Sequence, residues 1–243
     1  RSVTRSSRPD SPGTGIRSWR LFYGALIAMT AAGPWACSPD FKDGVGPRVP
    51  VPNVSGRAER DGAAASALDV SVRDPVDNVS VASTRTDASG SYAIAAPSGV
   101  WEIRIKGKVA GDFDSVTRGF VVDGAGERIT MVPLDVFAYG AALVAPSDGE
   151  ALARPSGSND VTFTWSAPGR SFSSARAQLY DSTGTAVWFS AKGTASEATW
   201  DGTGNQGALS GVVMPAATYT WRVKFDLPDS SEARTKSYVV RLQ

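Results

Sequence analysis

Chemistry has few places to reside in this chain. Histidine is absent from its 243 residues and cysteine occurs once, as Cys37. Histidine is the usual general base, the middle member of hydrolytic triads and the commonest zinc ligand, so its absence removes those mechanisms together. No serine after residue 37 stands three positions before a lysine, which excludes an S-x-x-K pair. Carboxylates remain. Glu59, Glu102, Glu127, Glu150, Glu197 and Glu232 are the glutamates that could pair on a glycosidic bond, a task needing two of them about 5 to 10 Å apart in a cleft. Their spacing brings no two to one cleft, and Glu102 falls on the polar side of an alternating segment. The sequence therefore reads as a non-enzyme with no cofactor and no catalytic residue.

The stretch "DGTGNQG", 201 to 207, sets Asp201, Thr203 and Asn205 at alternate positions, as a calcium loop does. Its sixth position lacks glycine, and Val212 stands where a bidentate glutamate is needed. A hairpin turn is the better reading, and no metal site is expected. Trp165, Trp188, Trp200, Trp221, Tyr180 and Tyr219 are dense enough to suggest a sugar-stacking platform. Trp165 and Trp221 fall on the inward parity of their segments, where tryptophan packs a sandwich core. Trp188 and Tyr180 have the opposite parity, and they are the ligand-contact candidates.

The elements that must position these residues are strands. From Val51 to Val136 the pattern alternates with period two: Leu68, Val70 and Val72 on one side of "LDVSVR", Val79 and Val81 along "NVSVASTRT", Tyr92 and Ile94 in "SYAIAA". Trp101, Ile103 and Ile105 then oppose Glu102, Arg104 and Lys106. Turn chemistry at "DASG" and "PSG" separates the runs. Past a joining segment the alternation resumes, with Val161, Phe163 and Trp165 directed inward. The expected fold is all-β: two antiparallel β-sandwich domains in tandem after a signal peptide. The boundaries are a signal peptide over 1–36, a tether over 37–50, a sandwich over 51–136, a linker over 137–146 and a second sandwich over 147–243.

Two stretches carry resemblances. "TRTDASGSYAIAAPSGVWEIRIKG", 84 to 107, resembles the carboxypeptidase regulatory-like domain, a transthyretin-like sandwich, through Thr86, Asp87, Gly90 and Tyr92 and then Pro97, Gly99 and Trp101. Asp87 is expected to cap its turn rather than to bind calcium. "ATWDGTGNQGALSGVVMPAATYTWRVKFDL" resembles the Ig-like module of flagellar hook-capping proteins through Trp200, Asp201, Gly202 and Gly207, then Tyr219, Trp221 and Val223. The chain's end is more similar to a fibronectin-type domain.

Cys37 follows the apolar run Leu21 to Ala32, which is preceded by Arg1, Arg5, Arg8, Arg17 and Arg20. Twelve residues are too few to span a bilayer, which takes about 20, and they suit the core of a secretory signal. The stretch resembles a bacterial lipoprotein signal, in which the cysteine is acylated and becomes the first mature residue. Ala36 fits that pattern, while Pro34 and Trp35 depart from it. Cleavage after Ala32, leaving Cys37 as a free thiol on a secreted protein, and an uncleaved anchor are the alternatives. The resemblance implies a membrane-lipid partner through acylated Cys37 and a place on the bacterial cell envelope, with Ser38 favouring the outer membrane.

Residues 1–36 carry five arginines and one aspartate, so the remainder holds 20 basic and 23 acidic residues, a net −3. No run of Lys and Arg is left for nucleic acid. The expected function is binding at the cell surface, to a protein partner and alternatively to a glycan.

Overall fold

The computed structural model describes residues 50–155 and 159–243, within a compact unit Arg48–Gln243. The signal segment, Cys37 and all of the tether before residue 50 lie outside the described residues. The described chain is all-β, and its single helical piece is a 3₁₀ turn at Gly207–Leu209.

The first lobe contains β1 (Val54–Arg60), β2 (Ala63–Ala64), β3 (Asp69–Arg73), β4 (Ser80–Arg85), β5 (Ser91–Ile94), β6 (Gly99–Lys106), β7 (Ser115–Val122), β8 (Ile129–Thr130) and β9 (Leu134–Asp135). The second contains β10 (Ala142–Ala145), β11 (Glu150–Leu152), β12 (Val161–Ser166), β13 (Ser174–Asp181), β14 (Ala186–Phe189), β15 (Glu197–Trp200), β16 (Thr218–Asp226), β17 (Glu232–Arg234) and β18 (Tyr238–Leu242). In the first lobe β1 is antiparallel to β2 and β5 and parallel to β8 and β9. Across the core from it runs the antiparallel series β4–β3–β6–β7. In the second lobe β10–β12–β15 faces a sheet centred on β16. One edge of β16 pairs β13 along its whole length, and the other pairs β18 and then β17.

The lobes share a sheet. Short β17 pairs β16 on one side and β7 on the other, with Ala233 opposite both Phe225 and Val116. That ladder merges the two outer sheets into one of ten strands. The segment 137–146, expected as a linker, is built into the body. Phe137 bridges Asp112, Ala138 is buried with its N–H donating to the Gly111 carbonyl, and Leu143 packs inward from β10. Val136, Ala138 and Leu143 are apolar groups that would otherwise face water, which is why the chain does not run free here.

The period-two pattern predicts most of the core. Leu68, Val70, Val72, Tyr92, Ile94, Ile103 and Ile105 are buried in the first lobe, and Val161, Phe163 and Trp165 in the second. Val79 and Val81 are exceptions, 56% and 45% exposed. Thr84 and Ala82 lie opposite the buried Val70 and Val72, so the inward parity of β4 runs through 82 and 84 and Val81 faces out on an edge strand.

The turn that carried the first resemblance is explained by hydrogen bonds. Asp87 Oδ1 accepts from the backbone N–H of Ser89 and Ser91 and from the Ser89 hydroxyl. Gly90, at φ +76°, sits where a Cβ would meet the Ala58 carbonyl. Thr86 is buried, donating to the Ala65 carbonyl and accepting from the Leu68 N–H. The second lobe repeats this device at 181–185: Asp181 Oδ1 accepts from Thr183 and Thr185, and Gly184 takes φ +84°. Both aspartates are structural caps.

Candidate functional site

The two aromatic candidates part company. Trp188 is only 8% exposed and lies between Phe163, stacked at 5.7 Å, and Trp200 at 6.3 Å. It pairs with Leu179, which has no exposure, and so shares the core face of β13. A register irregularity between Leu179 and Tyr180 breaks simple alternation along this hairpin, and both Val187 and Trp188 end up inside. The expectation of an exposed Trp188 is therefore corrected: it is a core residue. Tyr180 is half-buried on the outer side of β13. Its hydroxyl accepts from Arg222 Nη2 at 2.8 Å, and the same guanidinium covers its ring at 4.5 Å.

Tyr180 belongs to a surface that the shared sheet assembles. Residues directly opposite across a ladder point to one face. Ser71, Arg104, Thr117, Glu232, Asp226 and Ser174 form one such row across β3, β6, β7, β17, β16 and β13. Lys106, Ser115, Arg234, Lys224 and Arg176 form the next. Arg73 faces Glu102 beside the first row, and Arg222 faces Gln178 beyond the second.

Part of this charge is compensated. Lys224 Nζ lies 2.5 Å from Glu232 Oε1 and 3.3 Å from Asp226 Oδ1. Arg234 reaches Glu232 at 3.0 Å, and Lys192 reaches Asp226 at 2.6 Å. Arg222 Nε donates to Gln178 Oε1, and Arg176 lies over the Phe189 ring at 4.6 Å. Arg73 donates to the Asn78 carbonyl. Arg104 has no ion pair among the described residues, and its Nε is shielded from solvent without a hydrogen-bond partner. Burial, then the charges of Arg234, Arg73 and Arg222, push its guanidinium down to about 10, against a weaker opposing pull from Asp114. Arg234 is lowered for the same first reason, with Glu232 opposing.

Sequence reading missed this surface. Each contributor stands at an ordinary outward position of its own strand, where a lone arginine reads as a solvated face. Only the β7–β17 ladder brings residues 73, 104, 222 and 234 to one place.

A second feature lies at the far end of the first lobe. Strand β4 pairs only β3, so its other edge is unpaired among the described residues. Beside it opens a groove of about 570 Å³, lined by Val51, Pro52, Val81, Ala96, Pro97 and Val122 among others. Among the described residues, no three Asp or Glu side chains are grouped as a metal site requires, and no helix is long and apolar enough to cross a membrane.

No family model matches the chain, and no curated relative does. Solved structures with partial likeness include CopC from Methylosinus trichosporium, at 20% identity over 42% of this chain and 93% of that one, with a TM-score of 0.29. A DUF3823 family protein from Parabacteroides merdae matches at 14% identity over 80% of this chain and 99% of that one, TM-score 0.29. Fibronectin(III)-like modules of Clostridium thermocellum CbhA match at 13% identity over 78% and 89%, TM-score 0.29. Similarity at this level carries nothing about function.

Proposed function

We propose that this chain is a non-catalytic binding protein of the bacterial cell envelope, exported and held to a membrane by acylation of Cys37. The observation that carries the binding role is the edge of β4. An unpaired strand edge can accept an extended segment of a partner, with main-chain hydrogen bonds supplying affinity and adjacent pockets supplying selectivity. Exposed Val79 and Val81 and the groove beside them give that edge an apolar margin. The occupant is an extended segment of a surface protein.

Two measurements test this reading. The intact mass of the membrane-fraction protein should correspond to a chain beginning at Cys37 plus acyl groups, and Cys37→Ser should release the chain from membranes. An unmodified Cys37 in released protein contradicts the anchor. A photo-crosslinker at Val81 should capture one envelope protein, and one at exposed Arg241 should not; equal capture contradicts the strand-edge reading. The alternative, a glycan-binding surface, now rests on Tyr180 and its arginine neighbours alone. A glycan array comparing the protein with Tyr180→Ala tests it.

A further inference from the structure

The outer face of the shared sheet holds more positive charge than its own acids neutralise. Glu232 and Asp226 are engaged by Lys224, Arg234 and Lys192. Asp114 near Arg104 and Glu102 near Arg234 are the remaining acids, and neither is hydrogen-bonded to these guanidinium groups. Below the arginines, β7 presents two hydroxyls on the same face. Thr117 is 1% exposed, and Ser115 is fully buried with its Oγ unpartnered among the described residues. A buried hydroxyl without a partner and a shielded guanidinium without a partner are each unfavourable alone. Here they occupy neighbouring positions on one face: Arg104 stands opposite Thr117, two residues along β7 from Ser115, and Arg234, opposite Ser115, donates to the Thr117 hydroxyl at 3.4 Å.

We propose that this face is a binding site for a multiply charged oxyanion of the phosphate class, held between Arg104 and Arg234, flanked by Arg222 and Arg73, over the hydroxyls of Ser115 and Thr117. Guanidinium forks match tetrahedral oxyanions with paired N–H donors. A ligand with two negative charges offsets the mutual repulsion of these cations better than a single carboxylate does. Arg222 covers one face of the Tyr180 ring and Arg176 one face of the Phe189 ring, so guanidinium groups lead on this surface. Glu102, Asp226 and Glu232 interrupt the positive field on either side, which suits a discrete anionic group rather than a long polyanion. The site is independent of Cys37 and of the β4 edge. Its ligand is a free phosphate or the phosphomonoester headgroup of a lipid such as phosphatidic acid, which share this chemistry.

The test uses the full chain. Its melting temperature is followed in inorganic phosphate and in chloride at matched ionic strength. Binding at tenfold saturation should raise it by about 3 to 5 °C in phosphate alone. Arg104→Gln should abolish that rise, and Arg241→Gln, an exposed change on another strand, should leave it intact. If Arg104→Gln does not fold, Arg104→Lys and Arg222→Gln are read instead, each with at least about a tenfold loss of phosphate affinity. Phosphatidylcholine vesicles with and without phosphatidic acid then distinguish the source: Arg104-dependent capture by the former assigns the headgroup, and phosphate binding without capture assigns the free anion. Equal shifts in phosphate and chloride, or a phosphate shift that survives in Arg104→Gln, overturn the proposal.

Discussion

The first lobe closes over aliphatic side chains and the second over aromatic ones. Ile103, Ile105, Leu68, Val70 and Val72 fill the space between the sheets of the first. Phe163, Trp188, Trp200, Tyr219 and Trp221 fill the second, with ring centroids between 4.9 and 6.4 Å apart. Small branched residues need strict alternation to cover a sheet, so parity predicts the inner face of β3 and β6 well. Large rings reach further and fill a core from positions that break alternation, as Trp188 does beside Val187. The lobes also differ at their margins. The first ends in an open edge at β4, whereas β17, a strand of three residues from the second, is paired on both sides.

The largest expected effect comes from separating the lobes. Ala233→Pro removes a backbone N–H and inserts a ring in a strand flanked by β7 and β16, where proline is not accommodated, and so breaks the ladder that joins the lobes. Thermal unfolding of this variant should split into two transitions, one for each lobe. Next, Trp188→Ala empties a site among Phe163 and Trp200 and should cost about 3 kcal/mol in urea unfolding. The same variant should keep any glycan-array signal the protein has, because its ring faces the core.

Acid should act on the β16–β17 corner. Partial burial raises the Asp226 carboxyl, but bonds from Lys192 and Ser174 and the charge of Lys224 outweigh it and bring it to about 2, from an ordinary value of 3.8. A folded value below the unfolded one means that this stabilisation is full above about pH 4 and is lost as the pH falls toward 2. Asp226→Asn should flatten that part of the stability profile by about 1 kcal/mol, after allowance for solvent screening. The smallest effect is at Tyr92, whose buried hydroxyl has no partner among the described residues and lies against Gly56. Tyr92→Phe should be neutral or stabilising by up to about 1 kcal/mol in the same urea titration.

Much of this architecture was legible in the chain. Alternation located β3, β6 and β12 and their inward residues, and Asp87 read correctly as a turn cap. Three things were not legible, each for a physical reason. The inward face of β4 is set by its partner strand, with Thr84 and Ala82 opposite Val70 and Val72, so the valine alternation through 79 and 81 marks the outward side. Nothing local in "EAR", 232 to 234, announces a strand that joins two sheets. The arginine face depends on that strand, since Arg104 and Arg234 are 130 residues apart in sequence. An exposed Trp188 fails for the opposite reason: parity alone turns it outward, and the area a tryptophan gains by burial outweighs parity on a bulged hairpin.

Calorimetry of the intact chain tests the shared sheet most directly. The ladder from β7 to β17 predicts one unfolding transition for Arg48–Gln243, with calorimetric and van't Hoff enthalpies equal. Two independent transitions in the unaltered protein, at temperatures that Ala233→Pro does not change, would contradict it.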